Sequence, residues 1–476
     1  MSHPFDRYAD YTDVEALKAI SQKPLRKCLR VNGLKSSVEA LHTWGARHGW
    51  LLTPVPWIAS GFFIDRENRD TALGKDLLHL LGHTYMQEAS SMLPPVLLDP
   101  QPGEAVLDMS AAPGSKTTQM SAAMRNSGVL IANDVQEKRL WTLKAALHRA
   151  GTVNTIVTKK VGQWFAKNMT ERFDRVLCDA PCTAQGTARK NIEALEFCSL
   201  DSIEKMARLQ VELLEAAVHA AKVGGRIVYS TCTLTPEENE MVVRSILNKF
   251  SDQLEIVDPR VLPLHIWDCA RAVEDSFIVQ RALGEAEPLP MLRIWPHAYD
   301  VEGFFCAVLH KRASTLAPEW RDTVLRQERP LMRSQMHQID TALESVYGTH
   351  FHMEHEQLWH RAEQYVLING AAAEFPLPVQ NYSMGLPFAK SVKDGRFRIT
   401  HELATLRGMQ ATNNSIDLSE EQVDSVLAGG DTSCAPELRG DIVLRAGGIV
   451  LGTGLAQEGI LRNRLSRWLV QHTSDR

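Results

Sequence analysis

Between residues 103 and 250, short apolar runs alternate with longer segments of helical periodicity, and this alternation constrains the fold most strongly. A short apolar run predicts a buried strand, whereas apolar residues three or four positions apart predict a helix. Strands that alternate with helices are typical of α/β proteins with a mostly parallel, doubly wound sheet. The predicted strands are 103–108, 128–133, 154–159, 173–178 and 225–230, and the predicted helices are 117–124, 138–150, 202–222 and 236–249.

The chain on either side of this segment has a different character. Before about residue 80, a strand over 28–32, a helix over 37–49 and a strand-like run over 50–64 predict a small α+β module. Residues 303–309 resemble a last strand of the sheet, and 441–454 predict a β-hairpin. The expected domains are the N-terminal module over 1–80, the α/β domain over 81–312, a polar, largely helical linker over 313–375 and a C-terminal domain over 376–476.

Length and composition restrict the class of protein. The 476 residues, 44% hydrophobic and 23% charged, are typical of a globular chain and exclude a disordered or fibrous one. No apolar run approaches the roughly 20 residues of a membrane span. The polar N-terminus lacks the apolar core of a secretory signal. The eight scattered cysteines favour a reducing compartment, so we expect a cytoplasmic protein with no membrane partner.

The loop over 108–117, Asp-Met-Ser-Ala-Ala-Pro-Gly-Ser-Lys-Thr, joins the first predicted strand to a helix. Small residues let a ligand approach the backbone, and a helix N-terminus favours an anionic group. We favour a ligand site over a plain turn here. Asp134 ends the next strand, where an acid can accept hydrogen bonds from ribose hydroxyls. An equally good interpretation is that Asp134 caps the following helix.

Two cysteines follow two later strands. Cys182 belongs to Asp179-Ala180-Pro181-Cys182, and Cys232 to Ser230-Thr231-Cys232-Thr233. The carboxyl ends of parallel strands meet at one edge of a sheet, so both side chains can reach one pocket. A lone cysteine is more often a small buried hydrophobe. The polar neighbours of both residues favour reactive thiols.

These segments, in this order, resemble the RNA (cytosine-5) methyltransferase family that includes Nol1, Nop2 and Sun. The most distinctive are Ala-Ala-Pro-Gly-Ser-Lys at 111–116, Asp-Ala-Pro-Cys at 179–182 and Tyr-Ser-Thr-Cys-Thr at 229–233. Other similar segments are 24–32, 85–91, 237–240, 293–296 and 303–305. In the tail, 381–390 and 460–470 are similar to bacterial members that methylate small-subunit rRNA.

The resemblance implies a Rossmann-like sheet that uses S-adenosylmethionine. Asp134 would bind the ribose hydroxyls of the cofactor, and Asp179 would border both the cofactor and the target base. Val161 stands where the family usually has an acid near the adenine, and Thr-Ala-Gln-Gly at 183–186 replaces the common Ser-Gly-Glu-Gly. The cofactor loop would be Ser110, Ala111, Ala112, Pro113, Gly114, Ser115 and Lys116.

The resemblance also implies covalent catalysis. Cys232 would add to carbon 6 of cytosine, which turns carbon 5 into a nucleophile for the methyl group. Cys182 would assist proton removal and product release. Asp179, if protonated or sharing a proton with the base, would stabilise charge at N3 and N4. The residues alone do not choose between the two cysteines.

The implied partner is 16S rRNA or the assembled small ribosomal subunit, at the decoding region, with the protein expected to be a monomer. The net charge of −5 does not itself favour an RNA partner, but two clusters are basic. A charged, solvated face explains each cluster about as well as RNA contact. The C-terminal hairpin region is expected to form a PUA-like RNA-binding module. The RNA-binding candidates are Lys23, Arg26, Lys27 and Arg30 near the N-terminus and Arg462, Arg464 and Arg467 near the C-terminus.

Several alternatives remain open. A tRNA cytosine-5 methyltransferase has the same catalytic motifs, and an idle RNA-binding assembly factor could keep the fold without the activity. His350, His352, His355 and His360 lie close in sequence, which suggests a metal site. However, His355 and His360 are five positions apart, so the HExxH pattern is not met. We interpret the histidines as part of a polar helical surface and expect no metal.

Overall fold

The computed structural model describes residues 3–67, 72–197, 199–262, 268–315, 323–392 and 395–473. Cys198 lies outside these ranges. Within them, no helix combines the length and the apolar character that crossing a bilayer requires. The described parts form four sheets, each with its own strand order.

The N-terminal region is a four-stranded antiparallel sheet with short helices. Its strands lie side by side in the order Trp50–Val55, Ile58–Arg66, Cys28–Val31 and Thr84–Met86. Ser37 caps the helix Val38–Arg47, because its side chain accepts a hydrogen bond from the N–H of Ala40. The elements are α1 (Val14–Ser21), β1 (Cys28–Val31), α2 (Val38–Arg47), β2 (Trp50–Val55), β3 (Ile58–Arg66), α3 (Leu77–Leu80) and β4 (Thr84–Met86).

The central region contains the alternating strands and helices that the sequence predicts. Its strands are β5 (Ala105–Asp108), β6 (Val129–Asn133), β7 (Thr155–Thr158), β8 (Phe173–Asp179), β9 (Ala221–Thr231), β10 (Leu254–Val257), β11 (Leu292–Ile294) and β12 (Phe304–Lys311). Its helices are α4 (Leu93–Leu98), α5 (Ser115–Ala123), α6 (Glu137–Ala150), α7 (Gln163–Asn168), α8 (Leu200–Ala220), α9 (Glu240–Lys249), α10 (Ala270–Ala282) and α11 (Pro296–Tyr299).

The central sheet is parallel through β7-β6-β5-β8-β9 and continues with the antiparallel strands β12 and β10. Neighbouring residues of one strand bury on opposite faces: Val106 belongs to one core and Leu107 to the other. Both faces are therefore covered, as an α/β sheet requires. This confirms the predicted Rossmann-like class.

The C-terminal region differs from the expected helical linker. After β13 (Arg329–Pro330) and α12 (Arg333–Tyr347), the chain forms the hairpin β14 (Glu356–Arg361) and β15 (Gln364–Asn369). The predicted largely helical linker over 313–375 is wrong in 356–369, where the chain forms two strands and buries Val366, Leu367 and Ile368. These strands pair onward with β17 (Leu386–Ser391) and β18 (Phe397–Ile399), so one sheet crosses the expected boundary at 376.

The rest of the tail forms a second five-stranded sheet and also extends the central one. The predicted hairpin is present as β21 (Gly440–Ala446) and β22 (Ile449–Gln457). Strand β16 (Ser383–Met384) pairs with β7 at the edge of the central sheet. The remaining elements are α13 (Gly370–Glu374), α14 (His401–Arg407), β19 (Ser415–Asp417), α15 (Glu420–Leu427), β20 (Thr432–Ser433), β23 (Ile460–Asn463) and α16 (Arg467–Thr473).

Candidate active site

The loop between β5 and α5 turns sharply at Gly114, which has φ +109°. A Cβ on Gly114 would lie 3.0 Å from the Cβ of Ala146 and 3.2 Å from a methyl group of Leu143, both on α6. Glycine therefore allows the loop to pack closely against that helix. Asp108 anchors the start of the loop, where its carboxylate accepts a hydrogen bond from Thr117 Oγ1 at 2.7 Å. Burial, with a smaller contribution from Asp179, raises the pKa of Asp108 to about 7.

Asp134 follows β6 and is 2% exposed. One carboxylate oxygen accepts a hydrogen bond from the N–H of Ala112 at 3.3 Å, and the other accepts one from the N–H of Gln136 at 2.9 Å. Arg139 lies 3.4 Å away as an ion-pair partner. Asp134 therefore holds the loop and the turn before α6, but the capping interpretation is wrong, because the N-cap residue of α6 is Gln136 and this helix has no side-chain cap.

Cys182 and Cys232 meet because β8 and β9 are parallel neighbours, with Asp179 opposite Ser230. The two loops leave the sheet side by side, and the Sγ atoms lie 3.4 Å apart as free thiols. Both side chains are partly exposed. The hydrogen bond with Cys232, together with burial, raises the pKa of Cys182 well above its ordinary value. The structure thus brings together the two thiols that the sequence singles out.

The ammonium group of Lys116, at the end of the cofactor loop, contacts Asp179. Its Nζ lies 2.7 Å from Asp179 Oδ2, and Ser230 Oγ donates to Asp179 Oδ1 at 2.7 Å. Burial alone would lower the pKa of Lys116, but Asp179, and to a lesser extent Cys232, outweigh burial and raise it. With two donors in place, Asp179 has the hydrogen-bond pattern of an ionised carboxylate.

A cavity of about 460 Å³ lies at the carboxyl ends of β5, β6, β7, β8 and β9. Of the predicted residues, it is lined by Ser110, Ala112, Asp134, Val161, Asp179, Cys182 and Cys232. Ala111, Pro113, Gly114, Ser115 and Lys116 shape the loop or hold Asp179 and are not part of this lining.

Most of the lining residues were not named individually as site residues from the sequence. Residues 160–163 follow the carboxyl end of β7, a position that the predicted topology could have revealed. Leu209 and Leu213 come from the middle of α8 and carry no such signal. A Cβ on Gly162 would lie 2.5 Å from Leu213, so this part of the wall is tight. The lining residues that were not predicted are Met109, Asn133, Val135, Gln136, Arg139, Lys160, Gly162, Gln163, Ala180, Pro181, Leu209 and Leu213.

The cavity fits a nucleoside that carries a charged group. Its volume lies within the roughly 300–1,000 Å³ of small-molecule sites. The buried carboxylate of Asp134 stands beside the cationic Arg139, and Val161 and Leu213 supply apolar surface. A sulfonium nucleoside with an amino-acid tail needs this mixture of acceptors, donors and apolar wall.

The predicted RNA-binding residues have different surroundings. Arg30 is 2% exposed and donates to Gln87 and Thr118, each at 3.0 Å, so its prediction as a surface contact is wrong. Strand β1 is buried along its whole length, which places Arg30 inside. Lys23 and Lys27 are exposed, and the Arg26 guanidinium lies 3.8 Å from the ring centre of Phe63.

In the tail, Arg462 is exposed and forms an ion pair with Asp431 at 2.7 Å. Arg464 is partly buried and pairs with Asp441. Arg467 is exposed at the start of α16. Two of the three arginines therefore already have an acidic partner within the chain.

The histidine cluster does not form a helical surface. His350 and His352 follow α12, where His352 Nδ1 lies 3.2 Å from Asp340, and His360 lies in β14. Among the residues that the structure describes, no three His, Cys, Asp or Glu side chains converge as metal ligands would.

The Rossmann-like sheet, the small-residue loop, the acid after the second strand and the cavity between them define an S-adenosylmethionine-dependent methyltransferase. Solved structures support this class. A methyltransferase homologue from Pyrococcus horikoshii is 35% identical, covers 65% of this chain and 94% of its own, and has a TM-score of 0.55. NSun6 from the same organism, solved with SFG, shares the fold at 22% identity and a TM-score of 0.56, covering 66% of this chain and 99% of its own.

Sequence comparisons define the family. A model described as 16S rRNA methyltransferase RsmB/F matches residues 95–310, and one described as the N-terminal domain of 16S rRNA methyltransferase RsmF matches residues 7–89. The ribosomal RNA small subunit methyltransferase F of Psychromonas ingrahamii is 35% identical and covers 96% of this chain and 94% of its own. The Vibrio cholerae enzyme of the same name is 35% identical, with coverages of 97% and 95%. The chain belongs to the RsmB/F family of 16S rRNA methyltransferases and acts as an rRNA methyltransferase.

Proposed function

We propose that this enzyme methylates carbon 5 of a cytosine in 16S rRNA through a covalent adduct with Cys232, on the assembled small subunit at the decoding region. The observation that carries the proposal is the pair of thiols 3.4 Å apart at the mouth of the cofactor cavity. One thiol suffices to form a covalent adduct. A second thiol at this distance is suited to a reaction that must also remove a proton and release the product.

The residues have separate tasks in the proposed reaction. Cys232 Sγ forms a bond to carbon 6, and the electron pair of the 5,6 double bond moves to carbon 5. S-adenosylmethionine, when bound, would supply the electrophilic methyl group that carbon 5 attacks, and the methyl–sulfur bond would break to leave S-adenosylhomocysteine. Solvent water then takes the carbon-5 proton on the side of Cys182, the electron pair of that C–H bond restores the 5,6 double bond, the bond from Cys232 to carbon 6 breaks, and 5-methylcytosine leaves.

Asp179 and Lys116 orient the target base in this scheme. Because Asp179 already accepts from Lys116 and Ser230, its remaining lone pairs suit the amino group of cytosine. This changes the expected role of Asp179, which becomes an acceptor rather than a proton donor. The Lys116 ammonium favours negative charge on the ring and on the Cys232 thiolate.

For the cofactor, we propose that Asp134 accepts hydrogen bonds from the ribose hydroxyls and that the Ser110–Ala112 backbone borders the methionine part. Val161 is 55% exposed in the cavity wall, so we propose that it contacts the adenine face by apolar packing in place of an acid. For RNA, exposed Lys23 and Lys27 and the arginines of the tail are the proposed phosphate contacts, with the C-terminal sheets as an RNA-binding region and the enzyme as a monomer.

The test uses labelled S-adenosylmethionine with naked 16S rRNA, assembled small subunits and bulk tRNA, followed by mapping of 5-methylcytosine. We expect label in small subunits that is lost in Cys232→Ala. Label confined to tRNA would overturn the proposed substrate and keep the chemistry. A Cys232→Ala enzyme with full activity would overturn the covalent mechanism.

A further inference from the structure

Glu238 is a carboxylate buried inside the catalytic region, away from the cofactor cavity. It ends the short 3-10 turn Pro236–Glu238 that follows β9, and it is 0% exposed. Among the residues that the structure describes, no Lys, Arg or His lies within ion-pair distance of it. A buried carboxylate normally needs such a partner or a full set of hydrogen bonds, because the loss of hydration is costly.

The carboxylate of Glu238 has a full set of donors. Oε2 accepts from the N–H of Thr183 at 3.0 Å and from Gln210 Nε2 at 2.8 Å. Oε1 accepts from Thr235 Oγ1 at 2.9 Å and also from Thr183 Oγ1. Every partner donates, which is the pattern that an ionised carboxylate requires. A neutral amide of the same shape would turn its own N–H groups toward some of these donors.

These donors come from the segments that carry the two cysteines. Thr183 directly follows Cys182, whereas Thr235 lies in the loop after Cys232. Thr233, the residue next to Cys232, has its Oγ1 3.3 Å from Oε1 but donates its single hydroxyl proton to the nearer Oε1 of Gln185. Gln210 of α8 completes the connection, because the same amide nitrogen donates to the carbonyl of Pro181 at 2.8 Å. One carboxylate therefore ties both cysteine loops to each other and to α8.

We propose that Glu238 is a positioning residue that fixes the separation of Cys182 and Cys232 by tying together the loops that carry them. This inference rests on the proposed function in one respect, because it assumes that the two thiols have separate tasks. Glu238 does not touch the cavity and acts through the loops that it joins.

The charges near the two thiols have opposite signs. The negative charge of Glu238 raises the pKa of Cys182, in addition to the larger effects of the hydrogen bond with Cys232 and of burial. The positive charge of Lys116 lies close enough to Cys232 for the two to interact. An anion on the side of Cys182 favours the neutral thiol of that residue over its thiolate.

The test measures Cys182 directly and needs no RNA. In a Cys232→Ser background, the rate of alkylation of Cys182 by iodoacetamide is followed against pH by mass spectrometry, with and without Glu238→Gln. We expect the midpoint of the alkylation profile to move to lower pH in Glu238→Gln. The matched control is Glu237→Gln, since Glu237 is the neighbouring residue, is partly buried and pairs with Arg7; its profile should not move.

Activity supplies the second measurement. In the otherwise unchanged chain, Glu238→Gln should lower kcat by about 10²-fold, the effect of misplacing reacting groups by about 1 Å, while cofactor affinity stays within about 2-fold, because no cofactor contact changes. If Glu238→Gln does not fold, Thr235→Val removes one donor and should lower kcat, and Thr235→Ser should restore it.

An unchanged alkylation midpoint together with an unchanged kcat would overturn the proposal. If neither Glu238→Gln nor Thr235→Val lowers kcat by more than its loss of folded protein explains, Glu238 has only a structural role, which also overturns the proposal. A failure of the proposed chemistry can be distinguished from a failure of this proposal, because the alkylation profile of Cys182 depends neither on methyl transfer nor on the identity of the RNA.

Discussion

Lys116 Nζ lies 2.7 Å from Asp179 Oδ2, which joins the cofactor loop to the loop that carries Cys182. Lys116→Ala would leave Asp179 without its cation beside a reactive thiolate. We expect kcat to fall by about 10²- to 10³-fold, the usual effect of losing one electrostatic contact in an active site, with a smaller change in cofactor affinity. Single-turnover methylation and cofactor titration measure the two effects separately. A loss confined to cofactor affinity would instead place Lys116 in the cofactor site.

Cys182→Ala should allow the adduct to form and prevent its resolution. The thiol 3.4 Å from Cys232 would be gone, so RNA should remain attached through Cys232. A denaturing gel should show an RNA-linked protein that requires S-adenosylmethionine. The double variant Cys182→Ala/Cys232→Ala is the control and should show none. Adduct in Cys232→Ala and none in Cys182→Ala would mean that the two roles are exchanged.

Ala184 has φ +60°, a left-handed conformation that disfavours residues with a Cβ. Ala184→Gly should therefore raise the free energy of unfolding by up to about 1 kcal/mol. Denaturant titration measures the change. Ala188→Gly is the matched control, because Ala188 has φ −56° and the same substitution there should destabilise the protein. Destabilisation by both substitutions to similar extents would contradict the expectation.

Arg30 and Lys27 should respond differently to substitution although both lie in the same basic run. Arg30→Ala leaves the buried acceptors Gln87 and Thr118 without a donor and should cost about 2–4 kcal/mol of stability. Lys27→Ala should leave stability unchanged and reduce the salt dependence of RNA binding by about one phosphate contact. Thermal unfolding and binding at several salt concentrations test the pair. An unchanged salt slope in Lys27→Ala would remove Lys27 from the RNA interface.

Asp108 should make the folded protein less stable as the pH rises, whereas an acid in an ion pair makes it more stable. Its pKa rises from an ordinary 3.8 to about 7 in the folded protein, so the folded state binds the proton more tightly than the unfolded state. The resulting stabilisation is complete below pH 3.8 and is lost as the pH rises to about 7. Asp108→Asn should flatten this part of the stability profile, measured by urea titration between pH 4 and 8. An identical slope in the variant would exclude Asp108 as its source.

Much of the catalytic region could be predicted because its signals are local. The strands ending at Asp108, Asn133 and Asp179 are short apolar runs, and parallel topology alone places their following loops together. The pairing of Lys116 with Asp179 could not be predicted, because it depends on how two loops far apart in sequence approach each other. The same reason hid Glu238, whose partners come from three separate segments.

The errors also have physical causes. The basic run that contains Arg30 suggests a charged surface, but Arg30 lies on a strand that is buried along its whole length, and its side chain is therefore inside the protein. In 356–369, polar and histidine residues obscured the hairpin of Glu356–Arg361 with Gln364–Asn369. Both strands also pair with segments distant in sequence, Arg329–Pro330 and Leu386–Ser391, which local propensity does not reveal.

Strand β16 has a consequence for how this enzyme can be divided. Ser383 and Met384 pair with Val157 and Ile156, and so cover the side of β7 that would otherwise be the open edge of the central sheet. An uncovered edge strand recruits other chains and leads to aggregation. A fragment that ends at residue 312 would keep every proposed catalytic residue yet expose this edge. We therefore expect such a fragment to self-associate more readily than the full chain, which keeps this edge covered.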